Sequence, residues 1–339
     1  MYKLLPINQY FLHNFCNKFN NYKVIFAGNI TDALPIYLNT FDTIVSTHKY
    51  DYYLWLKKIL GNKVFFDFAN ITNINYFNVL IFFWTKNKNE SIYLLQQIST
   101  LLYNNSDIFI IGANNSGIRS INNISIFNTI FNKIISARKY SIYHTQYKKK
   151  HYFHPDSFWK FYYLNEQIIY NLPGVFGDNK LDQGSQLLIS TIKSSDIKGK
   201  ILDLGCGSGV LTSFIAKQSK KIKIYATDID IKALYSTKKT LFANNIHHGL
   251  IFPSHIYSNI NEKFNLIISN PPFHNELCYS LHTIYKILYN IKKYLVYNGE
   301  FRFVTHNIIP YKKIFKHLSY NFYILSKNNQ YTIYSIKNK

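Results

Sequence analysis

Short apolar runs separated by amphipathic stretches set the rhythm of this chain. In the first half, strand-length runs fall at Lys23–Asn29, Phe41–Val45, Val64–Phe68, Asn78–Phe83 and Ser106–Gly112. Helices are predicted over Tyr2–Phe19, from Asp32 through Tyr37, and over Tyr52–Leu60 and Ile92–Tyr103. The second half repeats the alternation. Its strands are Lys200–Leu204, Lys223–Thr227, Leu250–Phe252, Phe264–Ser269 and Gly299–Val304, with helices over Val210–Lys217, Ile231–Asn244 and Tyr279–Leu295. Phe322–Leu325 and Tyr331–Ile336 read as a closing hairpin across Asn328-Asn329. Strands alternating with helices imply an α/β fold with a parallel sheet covered on both faces.

The two halves look like one duplicated unit. Val24-Ile25-Phe26-Ala27-Gly28 lines up with Ile201-Leu202-Asp203-Leu204-Gly205, Val79–Trp84 with Asn265–Asn270, and Ile108–Ile111 with Phe301–Val304. The stretch Phe131–Phe161 breaks the rhythm, and the turn-rich Leu172-Pro173-Gly174-Val175-Phe176-Gly177-Asp178 opens the second half. The expected domains are therefore 1–150 and 171–339, joined by a linker at 151–170. The first copy has one glycine where the second has three, and Trp84-Thr85-Lys86 where the second has Asn270-Pro271-Pro272. A copy stripped of its chemistry is most simply a scaffold or a recognition module.

At 339 residues and 47% hydrophobic, the chain is long enough for two packed domains and excludes wholesale disorder. Lys plus Arg number 39 against 17 for Asp plus Glu, a net charge of +22, which points to a polyanionic partner. Ile, Asn, Lys, Tyr and Phe are abundant in every region, a genomic bias that discounts the charge. The run Lys148-Lys149-Lys150-His151 reads as a solvated linker or as a contact with RNA backbone. The apolar run near Val79–Trp84 is far below a bilayer span, and the N-terminus lacks a signal-peptide pattern, so a cytoplasmic protein without membrane contact is expected. Three cysteines (Cys16, Cys206 and Cys278) with no CxxC spacing argue against a disulfide framework or a metal site.

Asp203-Leu204-Gly205-Cys206-Gly207-Ser208-Gly209 follows a strand and opens a helix, where glycines let a ligand approach the backbone. The spacing is GxGxG rather than the GxGxxG of dinucleotide sites, and the acid before the glycines suits an ammonium group rather than a diphosphate. Asp228 ends the next strand about twenty residues on, where a carboxylate accepts ribose hydroxyls; helix capping is the alternative. Asn270-Pro271-Pro272-Phe273-His274 ends the fourth strand. The residue before a proline is extended, and Pro271 offers only a carbonyl, so a stiff loop presents an amide, a bare carbonyl and a ring. That set can hold a planar amine, although a proline turn with Phe273 in the core would need no such role.

This order of motifs resembles the class I S-adenosylmethionine-dependent methyltransferases. More narrowly, it is similar to the ribosomal RNA small subunit methyltransferase C family, which methylates N2 of guanine 1207 in 16S rRNA. The resemblance runs through both halves: Val24–Gly28, Lys86-Asn87-Lys88, Gly112–Ser120, Ser136-Ala137-Arg138, Leu172–Phe176, Leu181–Leu188, the glycine loop and Ser269–His274. It implies two tandem Rossmann-like domains, the second with a mostly parallel seven-stranded sheet and the only cofactor site. It implies that Gly205, Gly207 and Gly209 approach the methionine moiety beside Asp203, that Asp228 holds the ribose, and that Asp182, Gly184 and Ser185 close over the cofactor. Where the family usually has Asn or Asp near the adenine, this chain reads Ser254-His255-Ile256, which leaves His255 as the candidate contact.

The implied enzyme acts on 16S rRNA, in the assembled 30S subunit, as a monomer and without a metal. The exocyclic amine of guanine is a poor nucleophile, so Asn270 and the Pro271 carbonyl would accept its hydrogens and orient its lone pair, with Pro272 stiffening the turn and Phe273 stacking on a flipped base. The alternatives are a large-subunit (23S) rRNA guanine-N2 enzyme and a non-catalytic RNA-binding or assembly protein on the same fold.

Overall fold

The computed structural model describes residues 2–339 apart from 72–75, 124–126, 128, 138, 149–151, 178–179, 272–276, 310, 312–313, 316–317 and 319. Two compact units divide the chain, Met1–Trp159 and Lys160–Lys339. Among the described residues no helix is long and apolar enough to cross a membrane.

The first unit runs α1 (Pro6–Phe15), β1 (Lys23–Gly28), α2 (Leu34–Tyr37), β2 (Asp42–Ser46), α3 (Tyr50–Leu60), β3 (Val64–Phe65), β4 (Phe77–Phe83), α4 (Lys88–Ser99), β5 (Leu102–Ala113), β6 (Asn132–Ala137) and β7 (Tyr140–Tyr147). Its sheet has seven strands in the order β3-β2-β1-β4-β5-β7-β6, with β7 antiparallel to both neighbours. The stretch expected to break the rhythm thus supplies a closing hairpin. Its strands are weakly apolar on the outer edge, so the sequence carries little period-two signal there.

The second unit begins with the hairpin β8 (Lys160–Leu164) and β9 (Gln167–Asn171), which occupies residues expected to be linker. It continues α5 (Gln183–Ser190), β10 (Lys200–Leu204), α6 (Val210–Gln218), β11 (Lys223–Asp228), α7 (Ile231–Ala243), β12 (Gly249–Pro253), β13 (Phe264–Ser269), α8 (Leu277–Asn290), β14 (Leu295–His306), β15 (Phe322–Lys327) and β16 (Tyr331–Lys337). The order β12-β11-β10-β13-β14-β16-β15 reproduces that of the first sheet, as the duplication predicts. Of the basic run, Lys149, Lys150 and His151 lie outside the described residues.

The ladders correct the internal alignment by one residue in the fourth strand. Val24 pairs with Val79 and Ile201 with Leu266, so Val79 corresponds to Leu266 rather than Asn265. Phe83 then stands at the position of Asn270, and Trp84 at that of Pro271. The same irregularity recurs, between Phe77/Val79 in one copy and Phe264/Leu266 in the other. Lys23 N donates to Asn78 Oδ1 as Lys200 N donates to Asn265 Oδ1. Asn105 and Asn298 hold left-handed φ of 66° and 59° at matching points of β5 and β14.

Alternate residues of each central strand feed opposite layers. In the second unit Ile201, Ile224, Leu266 and Ile268 pack with Leu188, Leu211, Ile215 and Leu241 from α5, α6 and α7. Leu202, Leu204, Ile267 and Phe301 pack with Ile284, Ile287 and Leu288 from α8 on the other face. Each fully buried aliphatic side chain contributes about 1.5–3 kcal/mol.

One polar anchor crosses this scheme. Arg302 on β14, 4% exposed, donates to the Thr191 carbonyl at 2.6 Å, tying down the C-terminal end of α5. Its other nitrogens meet Glu300 at 2.8 Å and Asp196 at 3.0 Å. Removing one partner from such a buried network strands the rest. Arg302→Leu is expected to destabilise the protein by about 3–5 kcal/mol, read as a lowered midpoint in urea titration.

Candidate active site

Four strand ends converge at the carboxyl edge of the second sheet. β10 lies between β11 and β13, and α6 and α7 pack on the face opposite α8, so the chain parts on either side of β10. A crevice at such a switch point is where α/β sheets bind ligands.

The glycine loop leaves β10 with φ of +82° at Gly205, +55° at Gly207 and +79° at Gly209. Gly205 N and Cys206 N both donate to the Thr227 carbonyl at 2.8 and 2.9 Å, locking the loop to β11. A Cβ on Gly209 would lie 2.9 Å from Thr237 Cα, so this glycine is dictated by close packing of the loop on α7. A Cβ on Gly205 would meet nothing within 4 Å. That glycine faces open space and is required by its φ alone.

Asp203 is fully buried at the end of β10. Its Oδ2 accepts from Thr212 Oγ1 at 2.5 Å, and its Oδ1 has no hydrogen-bond partner among the described residues. Burial, reinforced by the nearby Asp228 carboxylate, pushes its carboxyl up to about 7. A carboxylate oxygen buried and unsatisfied is costly unless a cation or donor reaches it.

Asp228 ends β11 and is not the helix cap. Its Oδ2 accepts from Gly207 N at 3.0 Å and its Oδ1 from Asp230 N at 2.9 Å, while Asp230 caps α7 through Lys232 N at 2.9 Å. His255 follows β12, the strand beside β11, with its backbone N donating to Ser258 Oγ at 2.9 Å.

Asn270 extends from the end of β13. Its Nδ2 donates to Asp182 Oδ2 at 2.8 Å and to Ser185 Oγ at 2.9 Å. Asp182 is the N-cap of α5, its Oδ2 also accepting from Ser185 N at 2.9 Å. A Cβ on Gly184 would come within 3.0 Å of Asp182 Oδ2 and 3.2 Å of Val304, so a glycine lets α5 sit against β14 here. Pro271 is buried. Pro272, Phe273 and His274 lie outside the described residues.

Three participants carried no sequence signal. Thr212 is the hydrogen-bond partner of Asp203. Thr237 bonds Cys206 Sγ at 3.2 Å and the Gly207 carbonyl at 3.1 Å. Tyr162 on β8 reaches Ser208 of the glycine loop, and burial pushes its phenol up to about 12. Threonines inside helices and a tyrosine in a presumed linker look like ordinary packing until the fold brings them to the loop.

This fold, with a glycine loop, two strand-end acids and an Asn-Pro turn, defines a class I methyltransferase. Residues 166–335 match the family model for the methyltransferase small domain, and residues 11–162 that for its N-terminal domain. The chain is 37% identical to the ribosomal RNA small subunit methyltransferase C of Erwinia tasmaniensis, covering 94% of this chain and 93% of that one. It is 39% identical to that of Buchnera aphidicola subsp. Schizaphis graminum, covering 93% and 94%. The 16S rRNA N2 G1207 methyltransferase of T. thermophilus, solved with AdoMet and guanosine, shares the fold at a TM-score of 0.80 and 17% identity, over 97% of this chain and 92% of that one. The chain belongs to the ribosomal RNA small subunit methyltransferase C family.

The Asp203 carboxyl sets a pH dependence with a definite sign. It keeps its proton in the fold up to about 7 but loses it near 3.8 when unfolded. Between these values the folded state binds more protons, so this group's contribution to stability falls as pH rises and is flat above. In urea titrations at about pH 5 and about pH 8, Asp203→Asn is expected to lose less stability between the two than the wild type.

Proposed function

We propose that the chain transfers a methyl group from S-adenosylmethionine to the exocyclic N2 of a guanine in 16S rRNA of the small ribosomal subunit. Family membership supports the reaction class and substrate. The observation that carries the cofactor is the unsatisfied Oδ1 of buried Asp203 beside the open Gly205. An acceptor needing a positive partner, next to a backbone with room for a ligand, fits the ammonium group of the cofactor's methionine part.

In this reading Gly205, Gly207 and Gly209 form the floor under the methionine part. Asp228, its carboxylate fixed by two backbone N–H groups, takes the ribose hydroxyls, and His255 lies toward the adenine. Asp182, Gly184 and Ser185 form the wall at the start of α5. When bound, the cofactor supplies a methyl group on a sulfonium, an excellent leaving group. Asn270 Oδ1 and the Pro271 carbonyl accept the two hydrogens of the guanine amine, pulling the nitrogen toward a pyramidal shape and aiming its lone pair.

The particular guanine is the one named for the T. thermophilus protein, G1207, and the proposed substrate is the assembled 30S subunit. The first unit serves as scaffold or RNA-recognition module. Its loop after β1 is closed by its own atoms: Asp32 accepts from Leu34 N at 3.0 Å and Leu5 N at 3.1 Å and is bonded by Asn8. The Tyr52 hydroxyl donates to the Asp32 carbonyl at 2.7 Å, and Trp84 is buried.

The test is transfer of labelled methyl to small subunits lacking the modification, followed by mapping of the modified nucleotide. Wild type is expected to label one guanine at N2. Asn270→Ala is expected to lose about 100- to 1,000-fold in turnover while calorimetry finds cofactor affinity within a few-fold. Cofactor binding lost with turnover intact would refute the assignment of Asn270.

A further inference from the structure

We propose that Asp182 and Ser185 are positioning residues that fix which edge of the Asn270 amide faces the substrate amine. The inference rests on the methyltransferase reading above and gives two residues expected at the cofactor a task in orienting the acceptor.

An asparagine amide has two edges of nearly the same shape. Turned one way it offers an acceptor, turned the other way two donors, and its partners alone decide. A guanine amine presents hydrogens, so a flipped Asn270 would set donors against donors. The loop after β13 holds no such choice in itself, because Pro271 restricts the Asn270 backbone and leaves χ2 free.

Asp182 and Ser185 supply the choice from a different element, 88 and 85 residues away in sequence. Asp182 Oδ2 already accepts from Ser185 N, which orients the carboxylate toward Asn270. An ionised carboxylate has no donor. Flipping the amide would place Asn270 Oδ1 about where Nδ2 now stands, 2.8 Å from a second acceptor. Ser185 Oγ, 2.9 Å away, takes the other Nδ2 hydrogen. With both hydrogens engaged on the α5 side, Oδ1 is left on the opposite edge of the amide. Gly184 belongs to the same device, since a side chain there would crowd the Asp182 oxygen at 3.0 Å. Arg302 completes it by holding the far end of α5, so the carboxylate is carried on a helix fixed at both ends.

The test separates this role from capping and from cofactor contact. Asp182→Ser keeps a good N-cap for α5 but is too short to reach Asn270. It is expected to lower kcat about 10- to 100-fold, the loss that accompanies a removed hydrogen bond to a charged group. Ser185→Ala, which leaves the cap intact, is expected to lower kcat about 3- to 10-fold. In the Asn270→Ala background neither substitution should lower kcat further, because the side chain they orient is gone. Equal losses in both backgrounds, or a raised cofactor Kd at unchanged kcat, would overturn the proposal.

Should wild type transfer no methyl to guanine, the methyltransferase reading fails and the positioning claim is judged separately. The side-chain amide hydrogens of Asn270, followed by 15N NMR, are expected to exchange slowly in wild type and fast in Asp182→Ser. Equal exchange in the two would refute it.

Discussion

The pairing of β10 with β11 on one side and β13 on the other is the constraint from which the site follows. Crossovers through α6 and α7 lie on one face of the sheet and the crossover through α8 on the other, so among the described residues the chain parts at the carboxyl end of β10. The glycine loop, Asp228 and Asn270 each end one of these three adjacent strands. Their proximity is therefore a property of the ladders, and the loops need only be shaped, not brought together. The loop of β10 is shaped by positive φ and by the Thr227 carbonyl, and in that of β13 Pro271 directly follows Asn270.

What the sequence shows plainly is what the backbone dictates locally. Three glycines at alternate positions, an acid at a strand end and a proline pair each restrict conformation within a few residues, and all fall at strand ends. The contacts that give these motifs their chemistry are non-local. Nothing in Asp182-Gln183-Gly184-Ser185 indicates that its carboxylate meets an amide 88 residues on, since the same pattern serves any helix cap. The one-residue shift in the fourth strand has a similar cause. An irregularity between Phe264 and Leu266 changes the pairing count without any mark in composition, so a run of apolar residues aligns equally well in two registers. The β6–β7 hairpin was hidden because its edge strand alternates weakly and lies in a stretch rich in lysine and tyrosine.

The two copies show how the same scaffold admits or refuses a ligand. Both have a glycine with positive φ after the first strand, Gly28 at +87° and Gly205 at +82°. A Cβ on Gly28 would strike the Phe83 carbonyl at 2.2 Å, whereas one on Gly205 meets nothing. In the first copy the neighbouring strand closes over the glycine, and Asp32 spends its oxygens on Leu5, Leu34 and Asn8. In the second, Asp203 has one oxygen satisfied by Thr212 and one left over. The acid near the first glycine has both oxygens bonded within the chain, whereas Asp203 keeps one unbonded among the described residues.

That incompleteness also sorts charge. The chain carries +22 overall, yet the crevice gathers Asp182, Asp203 and Asp228, and the last two are close enough for Asp228 to raise the Asp203 carboxyl. Under the proposed function the two partners have opposite charge: a cofactor with ammonium and sulfonium groups and a polyanionic RNA. A locally acidic pocket in a basic protein attracts each to a different place. The basic surface raises the local concentration of RNA without drawing phosphates into the crevice, where acidic side chains oppose them. The cost of burying Asp203 next to another carboxylate is thus the means by which the site is kept for a cation.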